Sequence, residues 1–307
     1  MKILCTREYG GALQLDEVPS PTAAPGQVVV RNSATSLNPI DPLRASGLMR
    51  QEFPLSFPWI PGGDVAGVVE SVGEGVTTFQ PGDLVFGYTT VGGAYAEFVA
   101  VDIGSLAMRP AALTVEGAAA VAMVSQTAVQ ALQLAKVGAG TTVLIHAGSG
   151  GVGTLAIQIA HQSGAHVITT ARTEQKDALL RLGADRVIDY MKERFESVVE
   201  PVDAVLDLVG GETLQRSYGV VKRGGIIVTA NQPADPQECE KHGIQAFFVQ
   251  TVVTAEGLND VASRIAEGSI VPVIDHAETL WNPAGIWAKR RSSGAGVGKI
   301  VFTLGAQ

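Results

Sequence analysis

Two cysteines in 307 residues, Cys5 and Cys239, are too few for a disulfide framework and too far apart for the paired thiolates of a structural zinc site. Histidine is scarce too. His146, His161, His166, His242 and His276 include no helical i, i+4 pair, so no metal-ligand set is expected. Basic charge is also short, with 22 Lys+Arg against 30 Asp+Glu and a formal net charge of −8. That balance repels phosphate backbones and anionic lipid, and predicts neither a nucleic-acid nor a membrane partner. Residues Met1 to Glu8 hold no apolar run of leader length, so no secretion signal is expected and the cytoplasm is the expected compartment. One uncharged stretch, Gly117 to Ala135, reaches membrane length. Its alanines and its Ser125, Gln126, Thr127, Gln130 and Gln133 fit a buried helix better.

Hydrophobic residues at 46% and charged residues at 17% exclude a disordered or fibrous chain and suffice for a sizeable core. The length favours two domains of roughly 100 to 200 residues each. In the first third, apolar runs at Val28 to Val30, Val65 to Val72, Asp83 to Gly87 and Tyr95 to Val101 alternate with Pro- and Gly-rich turns, the texture of antiparallel strands closing a barrel or sandwich. From Leu113 an alanine-rich helix is expected. After Gly138-Ala139-Gly140 come short buried strands at Thr142 to Ala147, His166 to Thr170, Arg186 to Asp189, Ala204 to Leu208 and Ile226 to Ala230. Helical segments separate them, notably Val152 to Ser163 and Glu174 to Leu182, so a doubly wound parallel sheet is expected. The tail has an amphipathic stretch at Leu258 to Glu267, an apolar run at Ile270 to Ile274, a short helix and a closing strand at Lys299 to Leu304. It is too small to fold alone. We therefore expect residues 1-111 and 254-307 to form one domain, with residues 112-253 inserted as the other.

The sharpest local signal is Val143-Leu144-Ile145-His146-Ala147 followed by Gly148-Ser149-Gly150-Gly151-Val152-Gly153. A G-x-G-x-x-G that leaves a buried strand and opens a helix lets backbone N–H groups approach a pyrophosphate at the positive helix end. Dinucleotide sites that take NAD carry an Asp or Glu about 20 residues further on, at the end of the next strand, to hold the ribose 2′-hydroxyl. Here the strand ends at Ala171 without one. Arg172 follows, with Lys176 four further on; the two cations suit a 2′-phosphate, or they are the solvated start of a helix. A second glycine run, Gly294 to Ile300, fails the Walker spacing because Ser293 holds the first glycine position and Ile300 follows Lys299, so it is read as a flexible entry to the last strand.

Ordered matches across nearly the whole chain then identify a family: Ser36-Leu37-Asn38-Pro39-Ile40-Asp41, Pro61 to Val69, Phe79 to Val85, Gly93 to Phe98, Ala147 to Gly153, Leu182 to Asp185 with Val187 to Tyr190, and Gly298 to Val301. The chain resembles the zinc-independent, quinone-oxidoreductase-like branch of the medium-chain dehydrogenase/reductases. The resemblance implies an α/β fold with a Rossmann doubly wound parallel sheet inserted into a GroES-like β-barrel catalytic domain, NADPH in the cleft between them, and a quinone or enone as substrate. It also implies that Asn38 lies near nicotinamide and substrate, Thr127 near the carboxamide, Gly150 to Val152 against the pyrophosphate, Lys176 and Tyr190 at the 2′-phosphate, and Asn231 along the cofactor. Arg172 replaces a small polar residue of many relatives. No zinc is implied, since the Gly-His-Glu of zinc relatives is Gly62-Gly63-Asp64 here and the cysteines are missing.

Other candidates have plainer readings. Asp41, before Pro42, is read as a helix start; Asp64 as a turn carboxylate; Lys289-Arg290-Arg291 as a solvated helix end. Several relatives place a tyrosine between Leu43 and Trp59 near the substrate carbonyl. This chain has Met49, Phe53, Phe57 and Trp59 instead, which leaves protonation to water or to an unidentified group. The run Gln245 to Val253 is apolar and β-prone, and relatives pair this edge across a two-fold axis, so a homodimer is expected. Two alternatives stay open: an enoyl-thioester reductase and a non-enzymatic NADPH-binding protein.

Overall fold

The computed structural model describes residues 1–287 and 296–305. An antiparallel ribbon, β1 (Lys2–Cys5) with β2 (Gln14–Glu17), precedes the main N-terminal sheet. That sheet is built from β3 (Gln27–Ser36), β4 (Asp64–Val72), β5 (Leu84–Tyr88), β6 (Phe98–Asp102) and β7 (Leu106–Met108), with the short helix α1 (Ile40–Ala45) between β3 and β4. β3 is buried along most of its length because it pairs with three strands, β4, β6 and, at its far end, the last strand of the chain. Val28, Val30, Val65, Val85, Val99 and Leu106 fill the barrel interior.

α2 (Val115–Leu134) then crosses from this sheet to the next. Thr114 caps it by accepting from Gly117 N–H at 3.0 Å, and its alanines favour helix while allowing close packing. It has no wide polar face, since it touches β3, β4 and β5 on one side and the next helix on the other. The inner unit follows as β8 (Thr142–Ile145), α3 (Gly151–Gln162), β9 (His166–Ala171), α4 (Lys176–Arg181), β10 (Arg186–Asp189), β11 (Val202–Asp207), α5 (Gly211–Ser217), β12 (Val221–Thr229), α6 (Pro236–His242) and β13 (Gln245–Phe248). All six strands are parallel in the order β10-β9-β8-β11-β12-β13, the dinucleotide-binding order, whose ligand crevice opens at the carboxyl ends of the central strands.

The tail is α7 (Ala255–Ala266), β14 (Ile274–Thr279) and β15 (Lys299–Thr303). β15 pairs antiparallel with β3 and parallel with β14, so the chain's end completes the N-terminal sheet and the parallel sheet stands as an insertion. The apolar run Ile270 to Ile274 makes no strand: Pro272 lacks a ladder donor, and the Gln158 side chain bonds both N–H and C=O of Val271, so pairing starts only at Ile274. Lys289-Arg290-Arg291 and most of the short helix expected before β15 lie outside the described residues. Among the described residues, no helix is long and apolar enough to cross a membrane.

Candidate active site

β8 ends at Ile145, and Ala147, at φ 55°, turns the chain into the glycine loop. Gly148 is required by close approach, since a Cβ there would stand 1.9 Å from Thr169 Oγ1. Gly150 is the N-cap of α3 and supplies no side-chain cap, so no side chain of the cap residue occupies the first turn's N–H groups, the arrangement an anion can use. Ser149, Gly151 and Val152 complete the cradle. Its outer wall is the entry to β15: Gly298 N–H donates to Ser149 O at 2.8 Å, and Gly298 bridges Gly150. The glycine entry to the last strand is therefore pinned at Gly298 rather than flexible; Gly294 and Ala295 lie outside the described residues.

The other sequence-predicted cofactor residues of the parallel sheet follow its strand ends. Arg172 follows β9 and Tyr190 follows β10, and Arg172 Nε donates to the Tyr190 hydroxyl at 3.0 Å. That bond and the tyrosine's own negative potential hold the guanidinium more firmly protonated. Lys176 opens α4 four residues after Arg172, exposed, and its side chain has no ion pair or hydrogen bond among the described residues. Lys192 adds a third cation that sequence reading missed, bonded to Thr173 Oγ1 at 2.7 Å and close to Asp189 at 3.4 Å. Its signal was its position two residues after Tyr190. Asn231 sits just past β12, exposed, with Nδ2 donating to Leu208 O at 2.7 Å.

A buried polar node lies where α2 and both ends of the barrel sheet meet. Asn38 is held at both ends of its amide: Nδ2 donates to Asp64 Oδ2 at 2.6 Å, and Oδ1 accepts from Lys299 Nζ at 2.7 Å. One amide hydrogen remains for a ligand. Lys299 also donates to Leu37 O at 2.7 Å, lies 3.8 Å from Asp64, and lays its stem against Gly151 of the phosphate loop. Asp64 is not a turn carboxylate. It stands on β4 and accepts from the Ser36 hydroxyl, from Asn38 and, through Oδ1, from Met123 N–H of α2 at 2.9 Å. Asp41 accepts from Asn38 N–H at 2.9 Å and Gly62 N–H at 3.3 Å. Its burial, with Asp64 nearby, pushes its carboxyl up to about 7 against those two bonds. One turn after Met123 on α2, Thr127 meets Thr251 hydroxyl to hydroxyl at 2.8 Å, on the segment that leaves β13.

Lys299 thus joins the glycine loop to Asn38, while Arg172 joins Tyr190; Asn231, just past β12, and Thr127, on α2, stand apart from both groups. Asp64 and Lys299 were missed as site residues because their partners are distant in sequence. His146 is a core residue. Its ring bonds Thr170 and Ser217, packs on Phe195, and burial beside Arg216 pushes its pKa down to about 3. A cavity of about 350 Å³ lined by Gln130, Gln133, Leu134, Val249 and Gln250 lies at the end of α2, next along the helix from Thr127.

The loop and the cations fit a dinucleotide phosphate: the helix end at Gly150 is left without a side-chain cap, and no acid occupies the end of β9. Among the described residues, no cluster of His, Cys, Asp and Glu could hold a metal. Residues 24–111 match the family described as alcohol dehydrogenase GroES-like domain, and residues 151–258 the one described as zinc-binding dehydrogenase. The chain is 36% identical to a quinone oxidoreductase of Sus scrofa, over 97% of this chain and 96% of that one. It is 33% identical to an NADPH-dependent alkenal/one oxidoreductase, chloroplastic, of Arabidopsis thaliana, over 90% of this chain and 72% of that protein. The solved structure of the quinone oxidoreductase from Coxiella burnetii superposes with a TM-score of 0.92 at 32% identity, covering 99% of each chain.

Proposed function

The chain belongs to the quinone-oxidoreductase-like branch of the medium-chain dehydrogenase/reductases, and from that premise we propose that it is an NADPH-dependent reductase of a quinone or other α,β-unsaturated carbonyl. The observation that carries the cofactor reading is the Arg172–Tyr190 pair beside Lys176, in the place where a ribose-binding acid is missing. Gly148 to Val152 hold the pyrophosphate, Arg172, Lys176 and Tyr190 the 2′-phosphate, Asn231 the rim of the cofactor, and Thr127 the carboxamide. When bound, NADPH supplies the hydride. The protein's own work is positioning: Lys299 and Asp64 lock the Asn38 amide, so its free N–H is oriented before the acceptor arrives and costs no reorganisation as negative charge develops on the carbonyl oxygen. A quinone or enone spreads that charge onto its own oxygen. Hydrogen-bond donors suffice for it, whereas a simple alcohol needs a group to take its proton and stabilise the alkoxide.

We take residues 1-111 with 254-307 as the catalytic domain and 112-253 as the NADPH domain, the protein as cytoplasmic, and its assembly as a homodimer. The support for the dimer is β13, an edge strand with Phe247 38% and Phe248 40% exposed and Val252 beyond it 60% exposed. The test of function is loss of NADPH absorbance with a panel of quinones and enones, run beside an alcohol panel with NADP+. Turnover confined to alcohols, or none on either panel, would overturn the reading.

A further inference from the structure

We propose that the phenol of Tyr88 is a hydrogen-bond donor to the acceptor's carbonyl oxygen, working beside Asn38; the inference rests on the functional reading above. No tyrosine stands between Leu43 and Trp59, but the fold brings two phenols near that segment from elsewhere. Tyr9 is already engaged. Its hydroxyl accepts from Leu55 N–H at 2.8 Å, and its ring meets Phe57 edge to face. Tyr88 is different. It is the last residue of β5, directly opposite Asp64 in the ladder, and its ring lies over Gly63. A Cβ on Gly63 would stand 2.2 Å from the ring edge and 2.8 Å from the phenol oxygen, so the ring keeps this place only because residue 63 has no side chain.

Asp64, its partner in register, is the carboxylate that fixes the Asn38 amide, so phenol and amide flank one side chain. Among the described residues the Tyr88 hydroxyl has no hydrogen-bond partner, and it is not one of the fully buried unpartnered atoms. It therefore keeps both a free O–H and access to solvent or ligand. Nearby, Arg44 donates to Thr90 O at 2.9 Å, and its guanidinium lies 5.5 Å from the Phe53 ring centre and 5.3 Å from that of Trp59. Trp59 is buried, while Phe53, 46% exposed, presents an apolar ring that suits a planar acceptor. Burial, then Asp64 and Asp41, push the phenol's pKa well up, with Arg44 opposing, so the group stays a neutral donor and keeps its proton. The proton that completes the reduction comes from water.

The test is Tyr88→Phe, which keeps the ring and removes the hydroxyl, read by two measurements. The first is kcat/KM for cyclohexenone with NADPH. The second is the infrared carbonyl stretch of cyclohexanone, a saturated ketone, bound in the presence of NADP+. We expect roughly a tenfold to hundredfold loss of kcat/KM. NADPH affinity should be unchanged, and the bound carbonyl stretch should rise toward its free value. In the unaltered protein the stretch should already fall below the free value, a readout that needs no variant. Equal kcat/KM in the two proteins overturns the assignment while the reductase reading stands. No turnover by the unaltered protein, with a carbonyl shift that Tyr88→Phe abolishes, sinks the reductase reading and keeps the contact; neither turnover nor shift sinks both.

Discussion

An aspartate after Ala171 would meet a 2′-phosphate with a like charge, whereas Arg172 and Lys176 meet it with two opposite ones. Charge-assisted contacts of this kind make Arg172→Ala and Lys176→Ala each about tenfold weaker for NADPH. NADH, which lacks the phosphate, should bind both variants as it binds the unaltered protein, and fluorescence titration reads the difference. These residues were legible because they adjoin one strand end. Asp64, Lys299 and Tyr88 were not, since each works only through residues at least 24 positions away, and nothing local marks such a meeting. Two buried titratable groups also act on stability, with opposite signs. His146, at about 3 in the folded protein against an ordinary 6.5, binds fewer protons when folded, so its contribution is complete above about 6.5 and is lost as pH falls toward 3. Asp41, at about 7 in the folded protein against an ordinary 3.8, binds more protons when folded, so its contribution is present below 3.8 and is lost as pH rises through 7. Between those limits they oppose each other. Chemical denaturation from pH 7 to 4.5 should show His146→Asn losing less stability on acidification than the unaltered protein and Asp41→Asn losing more.

At the scale of elements, β8, β9, β10 and β11 were read within two residues at each end, because each is a short apolar run closed by turns. β12, by contrast, begins five residues before the expected Ile226, through Lys222 and Arg223, which carry no apolar signal, and β13 ends at Phe248, five residues short of Val253. β14 was not legible, since Ile274–Thr279, half-exposed and carrying Asp275, His276 and Glu278, has no apolar signature and exists only because β15 pairs with it. β15 matters through its first residue. Replacing Lys299 by Met leaves Asp64 buried without its countercharge, a loss of about 3 to 5 kcal/mol. Adding Asp64→Asn should recover part of it in a double-mutant cycle read by urea unfolding; fully additive effects would deny the coupling. Among the described residues no strand pairs with the outer edge of β13. Phe248→Lys puts a charge on that edge and should turn the proposed dimer into a monomer in light scattering, with the melting profile of the protomer otherwise retained.

For the whole molecule, the two folding units meet around the site, so a ligand that bridges them stabilises both. NADPH at 100 times its dissociation constant should add about 2.7 kcal/mol, seen as a higher Tm than the same concentration of NADH gives. The overall architecture was legible because the change from turn-rich strands to alternating strands and helices is itself a composition change. The joining of its parts was not. Asn38 and Lys299 are separated by 261 positions, and β3 waits for β15 across the entire inserted unit. Closing so long a loop is slow, while the parallel unit's strands lie much nearer one another along the chain. Assembly should therefore run from the inside outward, the inserted sheet gaining amide protection in pulsed hydrogen exchange before β3 and β15 do. Until the final strand docks, Asp64 has no ammonium beside it and the glycine loop lacks its outer wall, so competence to bind arrives as one of the last events in the life of a newly made chain.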